Sequence, residues 1–209
     1  MAPSIRPARL LAPIAVAIAL AAAAPPASAG LLVSTATSCD SAVLEQPFRR
    51  WLDYSSYTLL RNGGFEAGSK NWTLSSASVA SGNETFYVHG SRDRYSLLVK
   101  PGGSATSSSI CVGLDRPTLR FLAVSKGGTA LSTLAVDVLF EDSTGAVRSL
   151  QTGVVTVRSK WAPTLPMPVV ASLLPLLPGS RTAVAFRFRS VGGAEWRVDD
   201  VYVDPRSRR

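Results

Sequence analysis

Along most of this chain apolar and polar residues alternate with a period of two. Leu134, Val136, Val138 and Phe140 are apolar, while Asp137 and Glu141 of the opposite parity are charged. Val184, Phe186 and Phe188 alternate with Arg187 and Arg189, and Tyr95, Leu97 and Val99 stand opposite Ser96 and Lys100. This period belongs to strands with one buried and one solvated face. Turn signals part the runs at Asn62-Gly63-Gly64, Pro101-Gly102-Gly103, Lys126-Gly127-Gly128, Asp142-Ser143-Thr144-Gly145 and Val191-Gly192-Gly193. Strands are therefore expected at 59–66, 72–79, 85–88, 95–100, 105–112, 117–125, 132–141, 146–158, 165–171, 181–190 and 195–203. Past the first thirty residues no helical stripe lasts more than a couple of turns. The expected fold class is all-β: a two-sheet antiparallel β-sandwich of jelly-roll type with an N-terminal extension.

The opening residues follow a different rule. Arg6 and Arg9 precede an uncharged run from Leu10 to Ala24, Pro25-Pro26 breaks it, and Ala27-Ser28-Ala29 supplies the small residues of a cleavage site. That layout reads as a secretory signal peptide over 1–29, cut after Ala29. Its apolar run is shorter than the roughly 20 residues a spanning helix needs, so no transmembrane anchor is expected after cleavage. The second apolar stretch, Met167 to Leu177, contains Pro168 and Pro175 and reads as a loop. The remaining divisions are an N-terminal extension over 30–58, a sandwich over 59–204 and a basic tail over 205–209. Localisation is expected to be secreted, with cell-wall association open.

In an oxidising compartment the only two cysteines, Cys39 and Cys111, are expected to form one disulfide tying the extension to the main body. A redox role needs a close CxxC-like spacing, which is absent. The extension itself breaks the alternation. Phe48, Trp51, Tyr54 and Tyr57 fall at steps of three, as on one side of a short 3₁₀ or helical turn. They read either as an aromatic plug over the sandwich or as a platform for sugar rings, and the spacing does not separate the two.

Composition narrows the chemistry. One histidine cannot furnish several His-based sites, and two cysteines with it cannot make a zinc site of the Cys/His kind. No pair of carboxylates sits in a recognisable glycosidase motif, and the Ser-rich run at 106–109 lacks a GxSxG turn, so no enzyme is expected. The net charge is +8, with 18 Arg against 4 Lys. Without a nucleic-acid motif in an exported chain, that basicity points to anionic wall polymers or lipid headgroups and not to nucleic acid.

Two distant segments look like a matched pair: Leu60-Arg61-Asn62-Gly63-Gly64-Phe65-Glu66 with Trp72-Thr73, and Trp196-Arg197-Val198-Asp199-Asp200-Val201-Tyr202-Val203. Their order resembles the family 4/9/22 carbohydrate-binding modules and their galactose-binding-domain-like relatives, over roughly 59–204. The resemblance implies a secreted, non-catalytic module for cell-wall or extracellular glycans. The alternative is an exported structural or surface-interaction protein using the same sandwich without a sugar cleft. No cofactor is required, but the resemblance implies a structural calcium held by Glu66 with Asp199 or Asp200. The bland alternative has one aspartate accepting hydrogen bonds from the opposing turn and the other facing water. Independently, Trp196 and Val198 share a parity that Val201 and Val203 reverse, which predicts a bulge at Asp199-Asp200. Trp72, Trp161 and Trp196 read as core. The candidate ligand residues are then Phe86, Tyr87, His89, Arg92 and Tyr95 in the polar, aromatic 83–95 stretch, plus Trp51 and Tyr54.

Overall fold

The computed structural model describes residues 43–113, 117–142, 145–169 and 181–204. The expected signal peptide, Cys39 and the basic tail lie outside them. Cys111 is not a free thiol, but the Cys39 half of the expected bridge falls on undescribed residues. The elements are a 3₁₀ turn η1 (Arg49–Trp51), β1 (Thr58–Leu59), β2 (Trp72–Ser81), β3 (Tyr95–Ser107), β4 (Ile110–Gly113) and β5 (Thr118–Gly127). They continue with β6 (Thr133–Glu141), β7 (Val147–Thr156), β8 (Ala162–Pro163), β9 (Met167–Pro168), β10 (Arg181–Val191) and β11 (Ala194–Asp204). Among the described residues no helix is long and apolar enough to cross a membrane.

Every pairing is antiparallel, and β3 joins two layers. Its second half pairs with β10, which β6 and then β7 extend; β4 continues along the same edge of β10. Its first half pairs with β11, which β5 extends, with β8 and β9 on the far edge of β5 and β1 beside the end of β11. Between the halves stand Pro101, Gly102 and Gly103, inside the strand and not at a turn as expected. There β3 bends against β2, whose register slips between Ser75 and Ala77. A Cβ on Gly103 would lie 2.3 Å from the Ser76 carbonyl oxygen, so only glycine allows the two bends to nest.

The alternation decides what fills the space between the layers. Leu97, Val99, Phe121, Trp196 and Val198 of one layer meet Val136, Val138, Val184, Phe186 and Phe188 of the other. Phe121 and Phe188 touch edge-on at 5.0 Å, and Phe188 in turn approaches Trp72. Burying each such large side chain contributes about 1.5–3 kcal/mol. This is the expected two-sheet antiparallel sandwich.

The outward face of the β11–β5 layer is also covered. Phe48, Tyr57, Leu122 and Tyr202 form a second buried cluster, with Trp51, Leu59, Phe86, Val88 and Trp161 packed around it. Phe48 meets Tyr57 and Tyr202 edge-on at 5.2 and 5.7 Å. Residues 43–59 are thus an aromatic cover; of the four aromatics spaced by three, only Phe48 and Trp51 belong to a 3₁₀ turn, while Tyr54 and Tyr57 lie beyond it and Tyr57 bridges Glu45. Trp161 belongs to this outer cluster, whereas Trp72 and Trp196 lie in the main core as expected.

Five strand expectations need correction. Only Thr58 and Leu59 of 59–66 and its flank pair with β11; beyond them Asn62, at φ 54°, folds the chain into turns. Its side-chain amide donates to the carbonyls of Gly68 and Lys70 while its oxygen accepts the Ala67 N–H. Residues 85–88 form a loop because the Glu84 carboxylate collects the Phe86 and Val88 N–H groups. Strands 95–100 and 105–112 are redrawn as β3 and β4. Of 165–171, Met167–Pro168 alone is a strand within the described residues, and prolines at 163 and 168 suit short edge strands.

Candidate functional site

Two features share the outward face of the β11–β5 layer. The first is an acidic corner where β11 bulges. Its register against β5 shifts between Asp199 and Tyr202, and Asp200 takes φ 50°, so the parity reversal is a bulge as expected. Glu84, Asp199 and Asp200 are all fully buried there. The Glu84 N–H donates to Asp199 Oδ2 at 3.0 Å and the Asp200 N–H to Asp199 Oδ1 at 2.9 Å. The His89 N–H donates to Asp200 Oδ2 at 3.1 Å. Nearby, Glu66 Oε1 accepts the N–H groups of Arg94 and Tyr95 at 2.7 and 2.8 Å. Four carboxylates therefore buckle the loop between β2 and β3 onto the last strand and the opening turn.

The electrostatics of this corner are unfavourable. Among the described residues no lysine or arginine stands within ion-pair distance of Glu84, Asp199 or Asp200. Burial, helped by the charge of Asp200, pushes Asp199 up to about 9. Burial pushes Asp200 up to about 7 against the opposing His89 N–H, with Glu84 and Asp93 adding to the rise. Glu84 is raised by burial too, although its backbone hydrogen bonds pull the other way. Asp200 Oδ1 is buried with no hydrogen-bond partner. Such an orphaned buried atom needs an explanation.

Several oxygens of the calcium set implied by the resemblance already serve backbone donors. Glu66 Oε1 is taken up by two backbone donors, and both oxygens of Asp199 accept N–H groups. Among the described residues the only gathering of three potential ligands is His89, Asp93 and Asp200, with donor atoms all within 4.8 Å. Of the expected residues only Asp200 belongs to it. An imidazole nitrogen is also foreign to calcium, which takes oxygen ligands.

The second feature is a groove of about 710 Å³ lined by Trp51, Asp53, Tyr54, Tyr57, Arg120 and Asp204, with Leu165 and Pro166 on one side. The η1 turn puts Trp51 at its edge, and the chain after it carries Tyr54, which remains 57% exposed. Arg49 stands 5.9 Å over that ring. In the floor Asp53 Oδ2 accepts the Tyr57 hydroxyl at 2.7 Å and pairs with Arg120. Burial raises Asp53, but Tyr57, the Ser55 amide and Arg120 outweigh it and hold it below the ordinary carboxylate value. Tyr57 is pushed up to about 12 by burial and by Asp53. Arg120 also donates to the Thr164 carbonyl at 2.7 Å.

The candidate ligand residues do not converge on one surface. Trp51 and Tyr54 line the groove. Phe86 meets Trp51 edge-on at 5.1 Å, with the Arg50 guanidinium over both rings, and is part of the cover. His89 belongs to the acidic corner, while Tyr87, Arg92 and Tyr95 are exposed outside the groove lining. Asp53, Arg120 and Asp93 carry the geometry but were not among the expected site residues. Arg120 stands between apolar Leu119 and Phe121 in a strand whose residues 119–123 are buried in succession, and a buried arginine in such a run is itself a signal.

No protein-family model and no curated protein matches the sequence. Solved structures do. The chain is similar to the C-terminal family 22 carbohydrate-binding module of Clostridium thermocellum Xyn10B, at 15% identity over 68% of this chain and 90% of that one, with a TM-score of 0.46. It is similar to a family 61 module solved with β-1,4-galactotriose, at 18% identity over 69% of this chain and 96% of that one, with a TM-score of 0.42. The CBM22-1 xylan-binding domain from Paenibacillus barcinonensis Xyn10C matches at 15% identity over 70% of this chain and 94% of that one, with a TM-score of 0.45.

Proposed function

We propose that this chain is an exported, non-catalytic glycan-binding module, and that its saccharide site is the groove between residues 51–57 and the β5 edge. The observation that carries the reading is the lining of that groove. An exposed tyrosine, Tyr54, and Trp51 line it together with a planar carboxylate–guanidinium pair, Asp53 and Arg120. Sugars offer apolar ring faces for aromatic side chains and hydroxyls for planar hydrogen-bonding groups, and this groove supplies both. Its volume falls in the range of small-ligand sites, roughly 300–1,000 Å³.

Within the groove Asp53 is unsuited to the role of a general acid. A general acid needs a carboxyl that still holds its proton near neutral pH. Asp53 is held below its ordinary value, so it serves as a fixed hydrogen-bond acceptor. Export rests on the leader-like residues 1–29, and its natural ligand would be a cell-wall or extracellular polysaccharide.

The test is a glycan array and an insoluble-polysaccharide pull-down with protein recovered from the culture medium. N-terminal sequencing that begins at Gly30 supports export. Retention on at least one glycan, weakened at least tenfold by Tyr54→Ala with the melting temperature unchanged, supports the site. No retention on any glycan removes the function. Retention that disappears with modest salt and ignores Tyr54 assigns the protein to electrostatic surface attachment instead.

A further inference from the structure

We propose that His89, Asp93 and Asp200 bind one divalent transition-metal ion of the zinc type, through Nδ1 of the imidazole and one oxygen of each carboxylate. The site is separate from the glycan groove and stands or falls independently of it.

The geometry of Gly64 locates it. An added Cβ there would lie 3.2 Å from Asp200 Oδ1, 3.6 Å from His89 Nδ1 and 3.9 Å from Asp93 Oδ2. Three donor atoms, two from the loop before β3 and one from the β11 bulge, thus converge beside one glycine, and a side chain at that position would press on Asp200 Oδ1 and touch the other two. Asp200 Oδ1, fully buried and unpartnered, faces this point. His89 Nδ1 and Asp93 Oδ2 are 2.8 Å apart. Bonds of about 2.0–2.1 Å place neighbouring ligand atoms about 2.9–3.3 Å apart, so a small opening of that contact admits an ion.

The donors select the kind of ion. Calcium and magnesium favour oxygen, whereas an imidazole nitrogen suits zinc and its neighbours. To bind, the ring presents its Nδ1 lone pair and carries its proton on Nε2. The imidazole is 39% exposed and the Asp93 carboxylate 11%, which leaves one side open for water to complete the coordination. His89 is held in place because its own N–H donates to the second oxygen of Asp200. The ion would tie the loop carrying His89 and Asp93 to the β11 bulge, and would offset the charge that the corner lacks. This is not the Cys/His type of site that the composition rules out; it uses the single histidine with two carboxylates.

That single histidine makes the test direct. Untagged full chain, stripped with a chelator, is titrated with zinc while its one set of imidazole resonances is followed by NMR and its melting temperature is recorded. The expected result is a stoichiometric shift of the ring signals. Melting should rise by about 5–10 °C when free zinc is about 100 times Kd. Calcium at the same concentration should change neither reading. His89→Gln and Asp200→Asn should each abolish the melting response, and Gly64→Ala, which keeps all three donors, should weaken it at least tenfold. Ring signals that ignore zinc overturn the proposal even if no variant folds. So does a calcium response that survives His89→Gln, which would mark an all-oxygen site.

Discussion

Two regions of this sandwich bury carboxylates, and they solve the problem in opposite ways. On β6, Asp137 is 2% exposed, yet Arg187 and Arg189 of the neighbouring β10 reach it at 2.7–3.1 Å. Burial pushes its carboxyl up, but the two arginines outweigh burial and hold it below the ordinary value. At the β11 bulge, Glu84, Asp199 and Asp200 are buried as deeply, and their partners are backbone N–H groups. There burial prevails, and Asp199 and Asp200 rise to about 9 and about 7. The lesson is that burial alone does not decide the state of a buried acid; the counter-charge does. A structure that assembles an uncompensated acidic corner gives up stability there, and such concessions gather where a ligand is held.

The largest effect of a single substitution is expected at Asp137. Asp137→Ala strands two guanidiniums and should cost about 2–3 kcal/mol in urea unfolding. That is less than for a fully enclosed pair, since each arginine is about a third exposed. A cost near zero would mean that the pair contributes nothing and that the contrast is empty.

The pH dependence sharpens it next. Asp137 has a lowered folded pKa, so its contribution is present above the unfolded value of about 3.9 and is lost as pH falls. Asp199 has a raised folded pKa. The folded state therefore keeps a proton that the unfolded state releases, and its share of stability declines as pH rises from about 4 towards 9, by up to about 1.4 kcal/mol per pH unit. Unfolding measured from pH 3 to 9 in metal-free buffer should show the wild-type advantage over Asp137→Asn vanishing at low pH. The advantage over Asp199→Asn should shrink at high pH. Parallel curves would refute the assigned proton states.

The smallest effect is expected from Asp199→Asn at about pH 4 in metal-free buffer, where folded and unfolded chains both hold much of the proton, within about 1 kcal/mol of wild type by urea unfolding. A carboxyl that already holds its proton and an amide differ little in charge, so exchanging them leaves the corner nearly as it was. A loss as large as that for Asp137→Ala would show that Asp199 is ionised in the fold and that an unseen cation compensates it.

Much of this contrast was legible before the structure. The parity reversal across Asp199-Asp200 announces the bulge, whereas the steps of three from Phe48 to Tyr57 leave a cover and a sugar platform equally open. The opening turn does lie against the last strand: Leu60 donates to the Val201 carbonyl at 2.9 Å and Val201 to the Gly63 carbonyl at 3.1 Å. The partners of each acid were not legible. Glu66 was expected on a metal and instead accepts two backbone donors, whereas His89 was expected beside a sugar and faces Asp200 and Asp93. Pro101-Gly102-Gly103 signals a turn because glycine and proline punctuate chains, but close approach of two bending strands uses the same residues.

By itself the order of amino acids determined which side chains face inward along each strand, because successive residues on a pleated strand point to opposite sides whatever the strand pairs with. That was enough for two packed layers and for their aromatic core. Tertiary structure alone decided which charges meet. Asp137 finds Arg187 through the register of β6 against β10, and Asp200 finds His89 because a loop more than a hundred residues earlier is laid over the bulge. Those distances depend on strand register and loop path, which the whole fold sets at once and no local pattern encodes.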